Sequence, residues 1–131
     1  GWAALEARLH EPPAKGEQVT PWGFGRCAQS AGPIRRHDRE GGTVGAVADG
    51  VFYADAAVCP GDSGGPVLDT RRRVVGVVSA AVMDGDPKTR DAAHFARIDA
   101  FPALFSAARE IADGLSANEL PPFRSCAGVG K

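Results

Sequence analysis

Several things are scarce in this chain, and each shortage excludes a class of function. Neither sign of charge is in large excess. Fifteen Lys and Arg face sixteen Asp and Glu, a formal net charge of -1 with a pI near 6.3, so no electrostatic footprint for nucleic acid exists. The one basic cluster, Arg71-Arg72-Arg73, reads as a solvated hairpin turn. No apolar run reaches bilayer length, and the first ten residues show no charged region followed by an apolar one. Cysteine is limited to Cys27, Cys59 and Cys126, an odd count that leaves at least one free or paired outside the chain. No CxxC pair or Cys/His cluster has zinc spacing, so neither a metal nor a cofactor is expected.

What is present suits a folded β-rich domain. The 131 residues suffice for one core, 44% are hydrophobic, and 17 glycines and 10 prolines favour strands and tight turns. Trp2 to Leu5 reads as a short apolar strand, and Glu11 to Glu17 as a Pro/Gly-bearing crossing. Gln18 to Phe24 reads as a strand in which Pro21 marks an edge or bulge. Arg26 to Gly42 reads as a long polar loop. Thr43–Ala48 and Val51–Ala54 flank Asp49-Gly50, a two-residue hairpin signal. Pro66–Leu68, Arg73–Val82 and Ala92–Ile98 complete about six strands, separated by a charged loop at Asp84–Asp91. Phe101, Leu104, Phe105, Ala108 and Ile111 recur at helical spacing. They predict a helix from Phe101 to Gly114, with Asp99 as its N-cap and Gly114 as its stop. Short, evenly spaced strands predict a closed antiparallel barrel.

The chemistry is concentrated in Cys59-Pro60-Gly61-Asp62-Ser63-Gly64-Gly65-Pro66-Val67-Leu68. Glycine, aspartate and serine together usually mean only a turn. Three glycines around one serine also let the backbone expose a hydroxyl and converge N–H groups where an oxyanion forms. At this segment the chain resembles the chymotrypsin/trypsin family, whose serine lies in GDSGGP. Val19 to Gly25 is similar to the family's Trp-Gly strand. Val74 to Ser79 resembles the strand after the nucleophile, His94 to Ile98 the penultimate strand, and Phe101 to Gly114 the closing helix.

The resemblance implies an all-β fold: a six-stranded antiparallel Greek-key barrel, the second of a two-barrel protease, followed by a C-terminal helix. It implies that residues 1–16 end a first barrel and cross over, 17–100 form the second barrel, 101–115 the helix and 116–131 a tail. It makes Ser63 the nucleophile, the N–H groups of Gly61 and Ser63 the oxyanion hole, and Asp62 the partner of a newly freed N-terminal ammonium. The pocket floor would be Ala57 with Val58, edged by Pro60, with walls at Ser79-Ala80-Ala81 and about Ala92-Ala93-His94. Without a carboxylate at that floor, small or medium apolar P1 residues are expected. Cys59 matches a family cysteine whose usual partner is lacking. Cys27, near the oxyanion loop in the family, is then its expected partner, against the alternative that both are buried thiols.

The triad histidine and aspartate precede the serine in this family, in the first barrel. His10, His37 and His94 match no such position and read as surface or structural side chains. Gly1 falls where the family aspartate would be; a register shift, a cut nearby or a missing acid all remain open. The expected partners are therefore the N-terminal half of the same protease, tethered through Cys126, and a peptide or protein substrate, with no nucleic acid and no membrane. A secreted or periplasmic location follows from the resemblance and the disulfide. The alternative function is an inactive trypsin-like domain that binds protein. An α/β-hydrolase is excluded because its histidine follows the serine among alternating strands and helices.

Overall fold

A computed structural model of the chain describes residues 4–25, 37–38, 40–80 and 93–120. Seven strands form one sheet: β1 (Gln18–Gly23), β2 (His37–Asp38), β3 (Gly42–Ala48), β4 (Val51–Ala54), β5 (Pro66–Leu68), β6 (Val74–Ala80) and β7 (Ala93–Arg97). The order is β2-β1-β3-β4-β7-β6-β5, and β1 also pairs with β5. Six strands thus close an antiparallel barrel, and the two-residue β2 lies outside it on β1. Closure removes the sheet edges that an open β-sheet exposes.

The local causes are visible in the sequence. Asp49-Gly50 turns β3 into β4, with Gly50 at φ +74°, the left-handed region such a turn requires. Alternation along β4 buries Phe52 and Ala54 and turns Val51 and Tyr53 outward. The Phe52 and Phe95 rings stack with centroids 5.1 Å apart in a core that also contains Val19, Val44, Val67, Val75 and Val78. Gly76 is buried directly beneath the Phe52 ring, where a Cβ would collide with it.

Some expectations change. Ala4 and Leu5 are not in a strand. The strand-like contact falls later, at Ala7, which bridges to Val74 in parallel. Pro21 is not at an edge but inside the barrel, paired with Val67 of β5. The loop after β1 is interrupted by β2, whose partners are Trp22 and Gly23. β6 is not buried on both sides, since Val75 and Val78 are buried while Val74 and Val77 are half-buried.

Residues from Pro102 onward form a separate compact unit. Its helix α1 spans Pro102–Ala112, with proline at the first helical position, where its missing N–H costs nothing. Asp99 does not cap it. That carboxylate sits in a 3-10 turn (Ile98–Ala100) and accepts from Arg97 Nε and Nη2 at 3.1 and 2.7 Å. The hydrogen bond that Arg97 donates to Asp99 raises the Arg97 pKa. Gly114, at φ +109°, ends the helix as expected: its N–H reaches the Ile111 carbonyl and that of Leu115 reaches Glu110.

Candidate active site

Ser63 is solvent-exposed on the loop between β4 and β5, three residues before the first residue of β5. Its loop is fixed from beneath by a buried side chain. Asp62 is 1% exposed, and its two carboxylate oxygens accept the N–H groups of Gly25 and Cys59, each at 2.8 Å. Glycines permit this approach. A Cβ on Gly23 would overlap the Asp62 carboxylate, and one on Gly65 would overlap the Trp22 carbonyl.

The backbone on either side of the serine is engaged. The N–H of Asp62 donates to the Cys59 carbonyl at 3.0 Å, Gly64 to Val78 at 2.8 Å and Gly65 to Asp62 at 2.9 Å. The N–H of Val78 returns to the Gly65 carbonyl at 2.9 Å, so β6 clamps the chain just past Ser63. Among the described residues, no protein acceptor takes the N–H of Gly61 or of Ser63. Gly61 adopts φ +95° and Gly64 φ +85°, conformations that cost an L-residue about 1–2 kcal/mol. Gly61 and Gly64 flank Asp62 and Ser63, and glycine adopts these φ values without strain.

The other residues singled out by sequence are placed as follows. Ala57 and Val58 are half-buried and Pro60 is exposed before the loop; Ser79 and Ala80 are exposed at the end of β6. Ala93 is 3% exposed and belongs to the hydrophobic core. Cys59 is buried. Gly1, Cys27, Ala81, Ala92 and Cys126 lie outside the described residues. His10 is exposed, and His94 packs edge-on against Tyr53 with ring centroids 4.6 Å apart, on the outward side of β7 and β4. For His37 only the backbone is described, in β2. Among the described residues, no group of three or more His, Cys, Asp or Glu is disposed to hold a metal ion.

Sequence reasoning missed a charged cluster at the other end of the barrel. Arg8 is 6% exposed and donates through Nη2 to Glu17 Oε1 at 2.8 Å and through Nη1 to Asp69 Oδ2 at 3.1 Å. Its Nε and Nη2 also reach the carbonyls of Glu11 and Pro12. Asp69 further accepts the N–H groups of Arg71 and Arg73 and Arg73 Nε, so the arginine turn is organised around it rather than simply solvated. Arg72 lies 5.5 Å from the centre of the Trp22 ring. The hydrogen bond from Arg8 holds the Glu17 carboxyl below its usual range, against the cost of burial. For Asp69 burial opposes charge, but the amides of Arg73 and Arg71 and the Arg8 guanidinium outweigh it and lower its pKa. The Arg8 guanidinium is raised, chiefly by its bond to Glu17.

A closed antiparallel barrel with a Gly-Asp-Ser-Gly-Gly-Pro loop raised from one end is the architecture of the trypsin-like serine proteases. The chain belongs to that family: the Trypsin family model matches residues 9–103. Among solved structures it resembles the serine endoprotease from Yersinia pestis, with a TM-score of 0.59 and 20% identity over 85% of this chain and 36% of that one. It also resembles an inactivated protease paralogue of the scabies mite, with a TM-score of 0.62 and 18% identity over 84% of this chain and 53% of that one. At those identities the likeness is one of fold, and the chain spans about a third to a half of those proteins. No curated protein matches it in sequence.

Proposed function

We propose that this chain carries the nucleophile of a serine endopeptidase. Ser63 attacks the scissile carbonyl, and the acyl-enzyme forms on its Oγ. The N–H groups of Gly61 and Ser63 receive the oxyanion. The supporting observation is the selective vacancy of those two donors: the described structure gives neither a protein acceptor, while the N–H groups of Asp62, Gly64 and Gly65 are all engaged. The general base and its orienting carboxylate belong to an N-terminal barrel outside this sequence. Asp62, whose two oxygens anchor the loop, is the residue through which a freed N-terminal ammonium would act.

The substrate is a peptide or protein. Ala57 and Val58, with Pro60 and the Ser79-Ala80-Ala81 segment, select small or medium apolar P1 residues, because an arginine or lysine side chain would meet no carboxylate there. Cys27 pairs with Cys59. Gly25, two residues before Cys27, donates to Asp62, which also accepts the Cys59 amide, so the two chain segments run close together. Cys126 tethers the N-terminal half, and the disulfides suit a secreted or periplasmic protein.

A fluorophosphonate probe followed by intact-mass measurement, with and without reductant, tests this reading. The complete two-barrel protein is expected to gain one probe adduct at Ser63, and Ser63→Ala to gain none. The isolated 131-residue chain is expected to react barely and to hydrolyse no peptide, since triad members act as a unit. Brisk peptide hydrolysis by the isolated chain would overturn the divided triad. An unlabelled Ser63 in the complete protein would instead favour a binding module.

A further inference from the structure

The Arg8 cluster and the Ser63 loop occupy opposite ends of one strand pair. β1 leaves Glu17 and ends at Gly23, just before Gly25 donates to Asp62. β5 starts just after the Ser63-Gly64-Gly65 turn and ends at Leu68, next to Asp69. The two strands run antiparallel, with Thr20 opposite Leu68 and Pro21 opposite Val67. Glu17 and Asp69 therefore meet at one end of the pair, and Gly25 and the Ser63 loop at the other.

This seam closes the barrel, and it is thin. Those two facing pairs are its whole ladder, as two are for β1–β3, and Pro21 brings no N–H to it. The β4–β7 pairing, by comparison, runs from Val51 opposite Ala96 to Ala54 opposite Ala93. At the foot of the seam stand two carboxylates that repel each other. The buried Arg8 guanidinium bonds both.

We propose that Arg8 is a positioning residue for the Ser63 loop: by bonding Glu17 and Asp69 together it holds β1 and β5 in the register that brings Gly25 onto Asp62. Arg8 is itself anchored by the carbonyls of Glu11 and Pro12, before the barrel begins, and by its own N–H on the carbonyl of Val74, the first residue of β6, at 2.9 Å. The charged groups around it are Glu17 at the foot of β1, Asp69 just past β5, Arg73 just before β6 and Glu11 in the segment before β1. The catalytic meaning of this pin rests on Ser63 being the nucleophile, but the pin itself can be read without turnover.

Amide hydrogen exchange of the chain and of Arg8→Met makes the test. The amides of Gly25, Gly64 and Gly65 should lose protection by about tenfold or more, while those within β4 and β7 change by less than about threefold. Arg8→Lys, which keeps the charge but loses the fork, should fall between. Arg8→Met with Glu17→Gln should recover part of the loss, because one of the two stranded carboxylates is gone. If Arg8→Met fails to fold, Arg8→Lys decides the matter. Equal loss of protection throughout the barrel, or none at the Ser63 loop, would overturn the proposal.

Discussion

Asp62 and Asp69 are both nearly inaccessible, and both fix a turn next to β5, yet they are satisfied differently. Asp62 takes its two named bonds from the amides of Gly25 and Cys59. Asp69 takes amides too, from Arg71 and Arg73, but adds guanidinium groups from Arg8 and Arg73. The first arrangement fixes a loop through backbone amides, one of them 37 residues away, and holds Ser63 outward. The second adds charged side chains, one of them 61 residues away. One end of the barrel carries the proposed nucleophile, and the other is held by charge.

Four experiments would sharpen or break that contrast, beginning with the strongest. Replacing Ser63 with alanine in the complete protein should lower turnover by roughly 10⁶-fold, while leaving the urea midpoint of unfolding nearly unchanged. Asp69→Asn should do the reverse. It removes the charge shared by Arg8 and Arg73 and should cost about 3–5 kcal/mol of stability by urea titration. Asp62→Asn should cost less, about 1–3 kcal/mol, because its new amide donor must face an N–H of Gly25 or Cys59. It should, however, slow labelling of Ser63 out of proportion to that loss. Equal effects of the two aspartate substitutions on stability and labelling would erase the distinction. Gly61→Ala should cost about 1–2 kcal/mol from φ, and somewhat more because the added Cβ would lie 3.0 Å from the Gly25 Cα.

The same contrast predicts a pH dependence. The Glu17 and Asp69 carboxyls have lower pKa values folded than unfolded. They bind protons more readily in the unfolded chain, so their contribution is fully present above the ordinary carboxylate range and is lost as pH falls through the folded values. Thermal unfolding followed from about pH 6 downward should show stability declining below about pH 4.5, and the decline should be shallower in Glu17→Gln.

Much of the fold was legible because its causes are local. Asp49-Gly50 fixes a hairpin whatever surrounds it, and the apolar runs before and after it mark β3, β4 and β6 to within a residue or two. The Ser63 loop was legible because its glycines, aspartate and serine are contiguous. Arg8 was not, since its carboxylate partners lie 9 and 61 positions away. Nothing in the sequence near Arg8 says that it is buried. Asp99 had the right spacing for a cap, yet Arg97, two residues away, took its carboxylate. Ala93, a pocket-wall residue by resemblance, faces Ala54 on β4 and belongs to the hydrophobic core.

The thin seam between β1 and β5 also has a meaning in time. The β3–β4 hairpin turns over two residues, whereas Thr20 must find Leu68 across most of the barrel sequence. Local pairings reward the chain early, and distant ones only after the intervening loop entropy has been met. The barrel is therefore expected to close here last, so that the serine loop takes its working shape only in the final step of folding. Until then β1 and β5 are open edges, and a chain delayed at that stage offers them to its neighbours.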